Sequence, residues 1–463
     1  MTMVLGISVM LLVGVWTIAC FFRPQMALPL LVVFYPLKQN VQSYFSFFLE
    51  HSWVFNITMA MGVCLGVAGI LRKDPYALKG YKSGYFALLG FLFCYCLSAM
   101  LWTPDVARPY AVEQLLSGAP YWILQALLLP AIFSSVERFR SSLGPTLILS
   151  CIVSVLFLTN PHGTVFNHRY VIQLGILTEK GFGNPLASAQ MGGQMALIAA
   201  LMIPSGSKAF WLMVRGVAIV LGLTMAVMAG SRGQLTSSVF LVVLLFPLAR
   251  KVRNLTQFFL TAGGLGVLAV IGYFTITLIL KEDTEVTGRW TLDVATRHLD
   301  ERFETALGLI RWWASEPTSW MFGLGANAFS ALPGNAGTYV HNAIIEMFCE
   351  YGLFGLGLFC TLAYLTVRHS LDLFRRHRES PPERTTVAIL VAFGLYSFIL
   401  CLKQGAFLGA PEPYYLWLLI AKINLGERAA LANQAAAMAE QQQYQPDGAY
   451  PGYEDVAAAY GNS

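Results

Sequence analysis

Apolar stretches long enough to cross about 30 Å of hydrocarbon recur along almost the whole chain, and no other feature restricts the fold so strongly. In lipid every backbone N–H and C=O must be satisfied within the protein, which leaves helices and closed barrels. The runs here are continuous, without the short apolar–polar alternation of barrel strands, so an all-α, polytopic membrane protein is expected. Of 463 residues 56% are hydrophobic and only 12% charged, with a mean hydropathy of +0.59. Soluble domains carry about 25% charged residues. Spans are expected at 3–22, 53–71, 84–102, 119–134, 142–159, 186–204, 211–229, 235–249, 257–280, 343–367, 386–404 and 411–425, about twelve in all. Residues 26–50 start apolar but are interrupted by Pro36, Lys38 and Gln39, and read as a broken or re-entrant helix. Met1 to Phe22 lacks a positive leader and a small-residue cleavage site, and reads as a retained span.

The net charge of +5 does not point to nucleic acid as a partner, because much of it sits in short loops beside spans. Arg72, Lys73, Lys79 and Lys82 mark one such loop, and Arg138 with Arg140 another. Arg250, Lys251 and Arg253 mark a third, and Arg368, Arg375, Arg376, Arg378 and Arg384 a fourth. The positive-inside rule puts these loops, and with them both termini, in the cytoplasm. The opposite face then carries residues 160–185, the Gly230–Gln234 turn and the large loop 281–342. Residues 1–426 form the membrane domain, and 427–463, rich in Ala, Gln, Gly, Tyr and Pro, read as a disordered cytoplasmic tail. The eight cysteines all fall in apolar segments without zinc-like spacing. No His-Glu-x-x-His and no Asp-x-Asp occurs on the outer face, so neither a metal nor another cofactor is expected.

The large loop is too long for a plain connector. Its first half reads as a helix along the membrane surface, with Trp290, Val294, Leu299, Phe303, Leu307, Ile310 and Trp313 on an apolar face. Arg289, Asp293, Arg297, Asp300, Glu304 and Arg311 fall on the other side. They are either a solvated face laced by ion pairs or a set from which one or two arginines turn inward to an anionic head group. Arg289, at the helix start after Thr287-Gly288, is the first candidate, since free backbone amides there also favour anions. The second half, from Phe322-Gly323-Leu324-Gly325 to Gly337, reads as a turn in which backbone approaches a ligand or folds over a site. No Walker-type loop is present.

Arg232 sits in Gly230-Ser231-Arg232-Gly233-Gln234 between two spans. It either snorkels to the interface or, framed by glycines, offers a bidentate guanidinium to phosphate. His162, His168, Arg169 and Lys180 read as polar surface of the loop 160–185. His341-Asn342 closes the large loop and opens a span, with Glu346 and Glu350 below. A histidine there is either a structural or capping residue, or a base that takes a proton from a hydroxyl near neutral pH. Glu346 can orient it only through a bent backbone, and Glu350 reads as an internal anchor of the span.

His341-Asn342 followed by Glu350, Gly352 and Gly355 resembles the signature of the O-antigen ligase and O-antigen polymerase superfamily. The resemblance extends to Ser231-Arg232-Gly233 between two spans, to the arginine-bearing large loop and to Phe322-Gly323-Leu324-Gly325, covering roughly residues 180–370 in pattern. It implies a glycan donor on undecaprenyl pyrophosphate at the outer face of a bacterial inner membrane, and no metal. His341 then matches the family's essential histidine and Arg232 its turn arginine. Arg289 matches a further loop arginine, with Arg297, Arg302 and Arg311 as competitors, and Asn342 is a possible substrate contact. Glu350, Gly352 and Gly355 are structural. The implied reaction is inverting transfer to a glycan or a lipid A–core acceptor, and ligase and polymerase both remain open. A transporter or flippase would need polar groups along the membrane midplane, whereas the expected spans carry few charges at their centres and the ionisable groups gather at one face. A mere scaffold leaves the charged outer loop and its histidine without a role.

Overall fold

A computed structural model of the chain describes residues 2–73, 82–174, 181–204, 206–250, 292–403 and 412–443, with single helical positions at Thr256, Phe259, Gly263 and Gly266. Apart from those positions, the expected span 257–280, residues 281–291 and the end of the tail from 444 lie outside the described residues. The elements are α1 (Thr2–Phe22), α2 (Ala27–Tyr44), α3 (Ser46–Glu50), α4 (Ser52–Leu71), α5 (Lys82–Leu101), α6 (Arg108–Trp122), α7 (Leu129–Ile132), α8 (Val136–Leu158), a hairpin of β1 (Gly163–Phe166) and β2 (Arg169–Ile172), α9 (Pro185–Leu201), α10 (Lys208–Met228), α11 (Arg232–Arg250), α12 (Leu292–Ser315), α13 (Ser319–Phe322), α14 (Ala343–Arg376), α15 (Pro381–Cys401) and α16 (Glu412–Gln443). The protein is a helical bundle, and six of the described helices (α4, α8, α10, α11, α14 and α15) are long and apolar enough to cross a membrane.

The interrupted segment 26–50 is not re-entrant: α2 runs through Pro36 as one helix. The polar residues that suggest a break are bonded to its neighbours. Lys38 Nζ donates to Asn56 Oδ1 on α4 at 2.9 Å, and Gln39 Nε2 to the Asn184 carbonyl at 3.1 Å. Asn160, just beyond α8, donates to Asn40 Oδ1 at 2.9 Å. As one continuous helix, α2 reverses the direction of everything before it. Gly6 near the start of α1 lies against Tyr44 and Phe45, and Tyr44 packs on His162 beside the hairpin. The start of α1 is therefore at the hairpin end of the bundle and not, as expected from the charge pattern, at the end marked by Arg376.

Two adjacent glycines open α9 on both sides. A Cβ at Gly192 would sit 2.6 Å from the Gly222 carbonyl oxygen of α10, and one at Gly193 would overlap the Tyr396 hydroxyl of α15. Without a hydrophobic drive between helices in lipid, such close small-residue contact is what holds them together. The most enclosed of the six spanning candidates is α15, with 78% of its apolar window buried.

The loop 160–185 carries structure that the sequence did not announce. Its turn residues Asn167 and His168 both have positive φ, 48° and 59°, the geometry of a two-residue hairpin turn that matches strand twist. The tail also differs from expectation, since α16 continues unbroken to Gln443. Its Ala, Gln, Glu and Met residues favour helix, and extending an existing helix needs no new nucleus.

At the Arg376 end, His377 joins three helices. Its Nδ1 lies 2.7 Å from Glu383 Oε2 and its Nε2 2.8 Å from Glu427 Oε2, while Arg376 bonds Glu427 at 3.0 Å. The bond to Glu427, outweighing desolvation and helped by Glu383, raises the imidazole above its ordinary 6.5. Burial alone would raise Glu427, but His377 and the Val136 N–H hold it below its ordinary 4.5. A raised histidine stabilises fully below 6.5 and less as pH climbs through its folded value; a lowered carboxyl stabilises fully above 4.5 and less as pH falls through its own. The melting temperature of the native chain in detergent is therefore expected to exceed that of His377→Asn most between these two values. The gap should narrow on both sides, and a gap unchanged from acid to alkaline pH would discard the charged imidazole.

Candidate functional site

The N-terminus of α14 is built from the turn that precedes it. His341 is left-handed, φ 58°, and Asn342 is extended. This bend lets Asn342 Oδ1 accept the Ile344 and Ile345 N–H groups at 3.1 and 3.2 Å, capping the helix. The His341 ring is half-buried, tilted against Tyr339 with centroids 4.3 Å apart. One turn further on, Glu346 is buried in the first turn, where the helix dipole favours a negative charge. Its carboxylate lies within electrostatic range of the buried phenols of Tyr95, Tyr351 and Tyr414 and of Cys401.

Below this turn α14 is interrupted. Gly352 is non-helical, φ 65° and ψ −163°. The carbonyls released by the break are taken up by the glycine-rich segment: Leu324 N–H donates to the Cys349 carbonyl at 2.9 Å and Gly325 N–H to that of Glu350 at 3.0 Å. The fully enclosed Glu350 carboxylate accepts the Asn327 N–H at 2.8 Å and the Phe329 N–H at 3.1 Å. On its other side the segment meets the end of α5, where Thr103 Oγ1 donates to the Ala326 carbonyl at 3.1 Å and Ala326 N–H to Ser98 Oγ at 3.1 Å. Residues 323–330 are all buried. The glycines expected to bring backbone to a ligand thus bring it to other backbone, with Gly323 packed directly on Glu350.

Arg232 begins α11 and is half-buried, beside the buried Ser231 and Gln234. The next residue, Gly233, leaves the space taken by the Lys403 side chain. Lys403 follows α15 by two residues, and Cys401 at the end of that helix is in range of Glu346. The Arg232 turn and the His341 turn are thereby joined at one end of the bundle through α15. Gly355 is buried three residues, nearly a full turn, beyond the break. Arg311 is exposed on α12, and the side chains of Arg297 and Arg302 on the same helix lie outside the described residues, as does all of Arg289. The face of α12 that packs is formed by Ala306, Leu309, Ile310 and Trp313; Phe303, expected on the apolar face, is 64% exposed. Trp313 stacks on Phe348 of α14 at 4.2 Å, which ties α12 to the site.

Sequence reasoning missed Lys403 and the three tyrosines. The signal was present for Lys403, a lone cation inside what reads as the span 386–404. Among the described residues no group of three or more His, Cys, Asp or Glu is placed to hold a metal. No protein-family model matches the chain, and no curated protein matches it.

Proposed function

We propose that the chain transfers a glycan from an undecaprenyl-pyrophosphate donor to a sugar hydroxyl at the outer face of a bacterial inner membrane. The supporting observation is the gathering of His341, Glu346, Lys403 and Arg232 at one end of the helical bundle. Ionisable groups are costly in lipid and cluster where they act. In this reading His341 takes the proton of the acceptor hydroxyl as that oxygen attacks the anomeric carbon. The bond from that carbon to the lipid pyrophosphate breaks with inversion. Arg232 and Arg289 neutralise the charge growing on the departing pyrophosphate, which is already a good leaving group, so that positioning and charge supply most of the catalysis. Arg297, Arg302, Arg311 and Asn342 are further candidates for substrate contact. Ligase action on a lipid A–core acceptor is favoured, with polymerisation of O-antigen or exopolysaccharide repeats as the close alternative. A transporter or flippase is the more distant one.

The test is reconstituted transfer from undecaprenyl-pyrophosphate glycan, with and without lipid A–core, by the native chain and Arg232→Ala. Loss of one oxyanion-type donor is expected to cut turnover about 10²–10³-fold. Product requiring the core lipid names a ligase, and a ladder formed without it names a polymerase. Absence of product from the native chain under both conditions refutes the reading, as does a fully active Arg232→Ala.

A further inference from the structure

A second polar site lies away from the His341 turn. Between α2, α4 and the α9 N-cap is a cleft of about 320 Å3, lined by Tyr35, Lys38, Gln39, Gln42, Ser52 and Asn184 among others. Its volume falls at the low end of the roughly 300–1,000 Å3 typical of small-ligand pockets. Lys38 stands about 9 Å, six residues, from the hairpin end of α2. Among the described residues its ammonium meets only the neutral Asn56 Oδ1 and no carboxylate. An ammonium placed in a helix bundle without a counter-charge is a site for an anion.

A second observation comes from Gln39, only 6% exposed. Its Nε2 is committed to the Asn184 carbonyl, which fixes the orientation of the amide, and its Oε1 is buried without a hydrogen-bond partner. That oxygen packs against Gly183, so the Gln39 side chain forms a fixed wall of the cleft. The cleft therefore supplies one cation, the Ser52 hydroxyl and Tyr35, which is 51% exposed. Tyr35 is also within electrostatic range of Glu412, the first residue of α16, which Gln190 of α9 and Ser397 of α15 both bond.

We infer that this cleft binds a sugar ring bearing a carboxylate or phosphate, its acid group on Lys38 and its ring beside Tyr35 and Ser52. The choice of a sugar, as part of the glycan being joined, rests on the transferase reading; the need for an anion does not.

The test measures binding of methyl β-glucuronide and of neutral methyl β-glucoside to the full chain in detergent, by ligand-observed NMR titration without any transfer. Saturable binding of the glucuronide is expected, at least about tenfold tighter than the glucoside, and lowered about tenfold or more in Lys38→Met while glucoside binding is unchanged. Lys38→Gln, which keeps a hydrogen bond to Asn56, serves if Lys38→Met does not fold. Absence of saturable glucuronide binding, or equal binding by native chain and variant, overturns the inference. Displacement by inorganic phosphate as effective as by free glucuronide also overturns it, since the sugar then contributes nothing. Nanodiscs of phosphatidylglycerol that abolish glucuronide binding overturn it too, by assigning the cleft to a lipid head group. A chain that binds glucuronide yet transfers no glycan keeps the cleft and loses the transferase reading; one that transfers but does not bind does the reverse.

Discussion

Gly352→Ala is expected to prevent α14 from closing on the glycine-rich segment and to leave little folded protein. The backbone at φ 65° and ψ −163° is a region open essentially to glycine, and holding another residue there costs about 1–3 kcal/mol. Space is the larger obstacle. A Cβ would lie 2.5 Å from the Met321 carbonyl carbon and oxygen and 2.6 Å from Gly323 N. These are backbone atoms, and they can retreat only by breaking the bonds from Leu324 and Gly325 to the Cys349 and Glu350 carbonyls. Each buried group so orphaned adds about 1–3 kcal/mol. The sum, on the order of 4 kcal/mol or more, is a large part of the about 5–15 kcal/mol that keeps a domain folded. Size-exclusion chromatography after heating in detergent measures it directly. Gly357→Ala is the comparison: a Cβ there meets nothing within 4 Å, so in a helix it should be neutral or slightly stabilising. Equal thermal stability of the two variants would contradict the tight backbone crossing.

The second large effect is on turnover. His341→Asn is expected to lower glycan transfer about 10²–10⁴-fold, the usual contribution of a positioned acid or base. Asparagine is a better choice than alanine because His341 has φ 58°, a conformation asparagine tolerates and alanine resists. The Asn342 cap and the start of α14 should then survive, and melting should change little. Rescue by added imidazole separates proton transfer from mere positioning: the residual rate of the variant should rise with imidazole, and the native rate should not. A variant with native turnover would leave His341 a turn residue and nothing more.

Much of the bundle is legible in the sequence because a lipid-facing helix must be continuously apolar, and α4, α8, α10, α11, α14 and α15 all fall on such runs. The departure at 26–50 has a definite cause. Pro36, Lys38 and Gln39 look like an interruption only when their partners are unknown, and Asn56 and Asn184 lie 18 and 145 residues from the groups they bond. The surface helix is visible in its apolar spacing, yet its packed side is set by Phe348 and the buried loop, which leaves Phe303 outside. At the site, the approach of His341 to a helix start is readable from Asn342, a strong capping residue. The joining of that turn to Arg232 is not, because Lys403 and Cys401 come from a helix that reads simply as a span.

The break at Gly352 also bears on how the chain enters the membrane. A free α14 would offer lipid a carboxylate at Glu350 and two carbonyls with no amide above them, a poor segment for independent insertion. Its complement is the stretch synthesised immediately before it, since Asn327 and Phe329 precede Glu350 by only 23 and 21 residues. The nascent chain therefore carries its own plug. A chain deprived of that loop is expected to leave α14 with an unpaired buried carboxylate and two open carbonyls, and so to insert poorly.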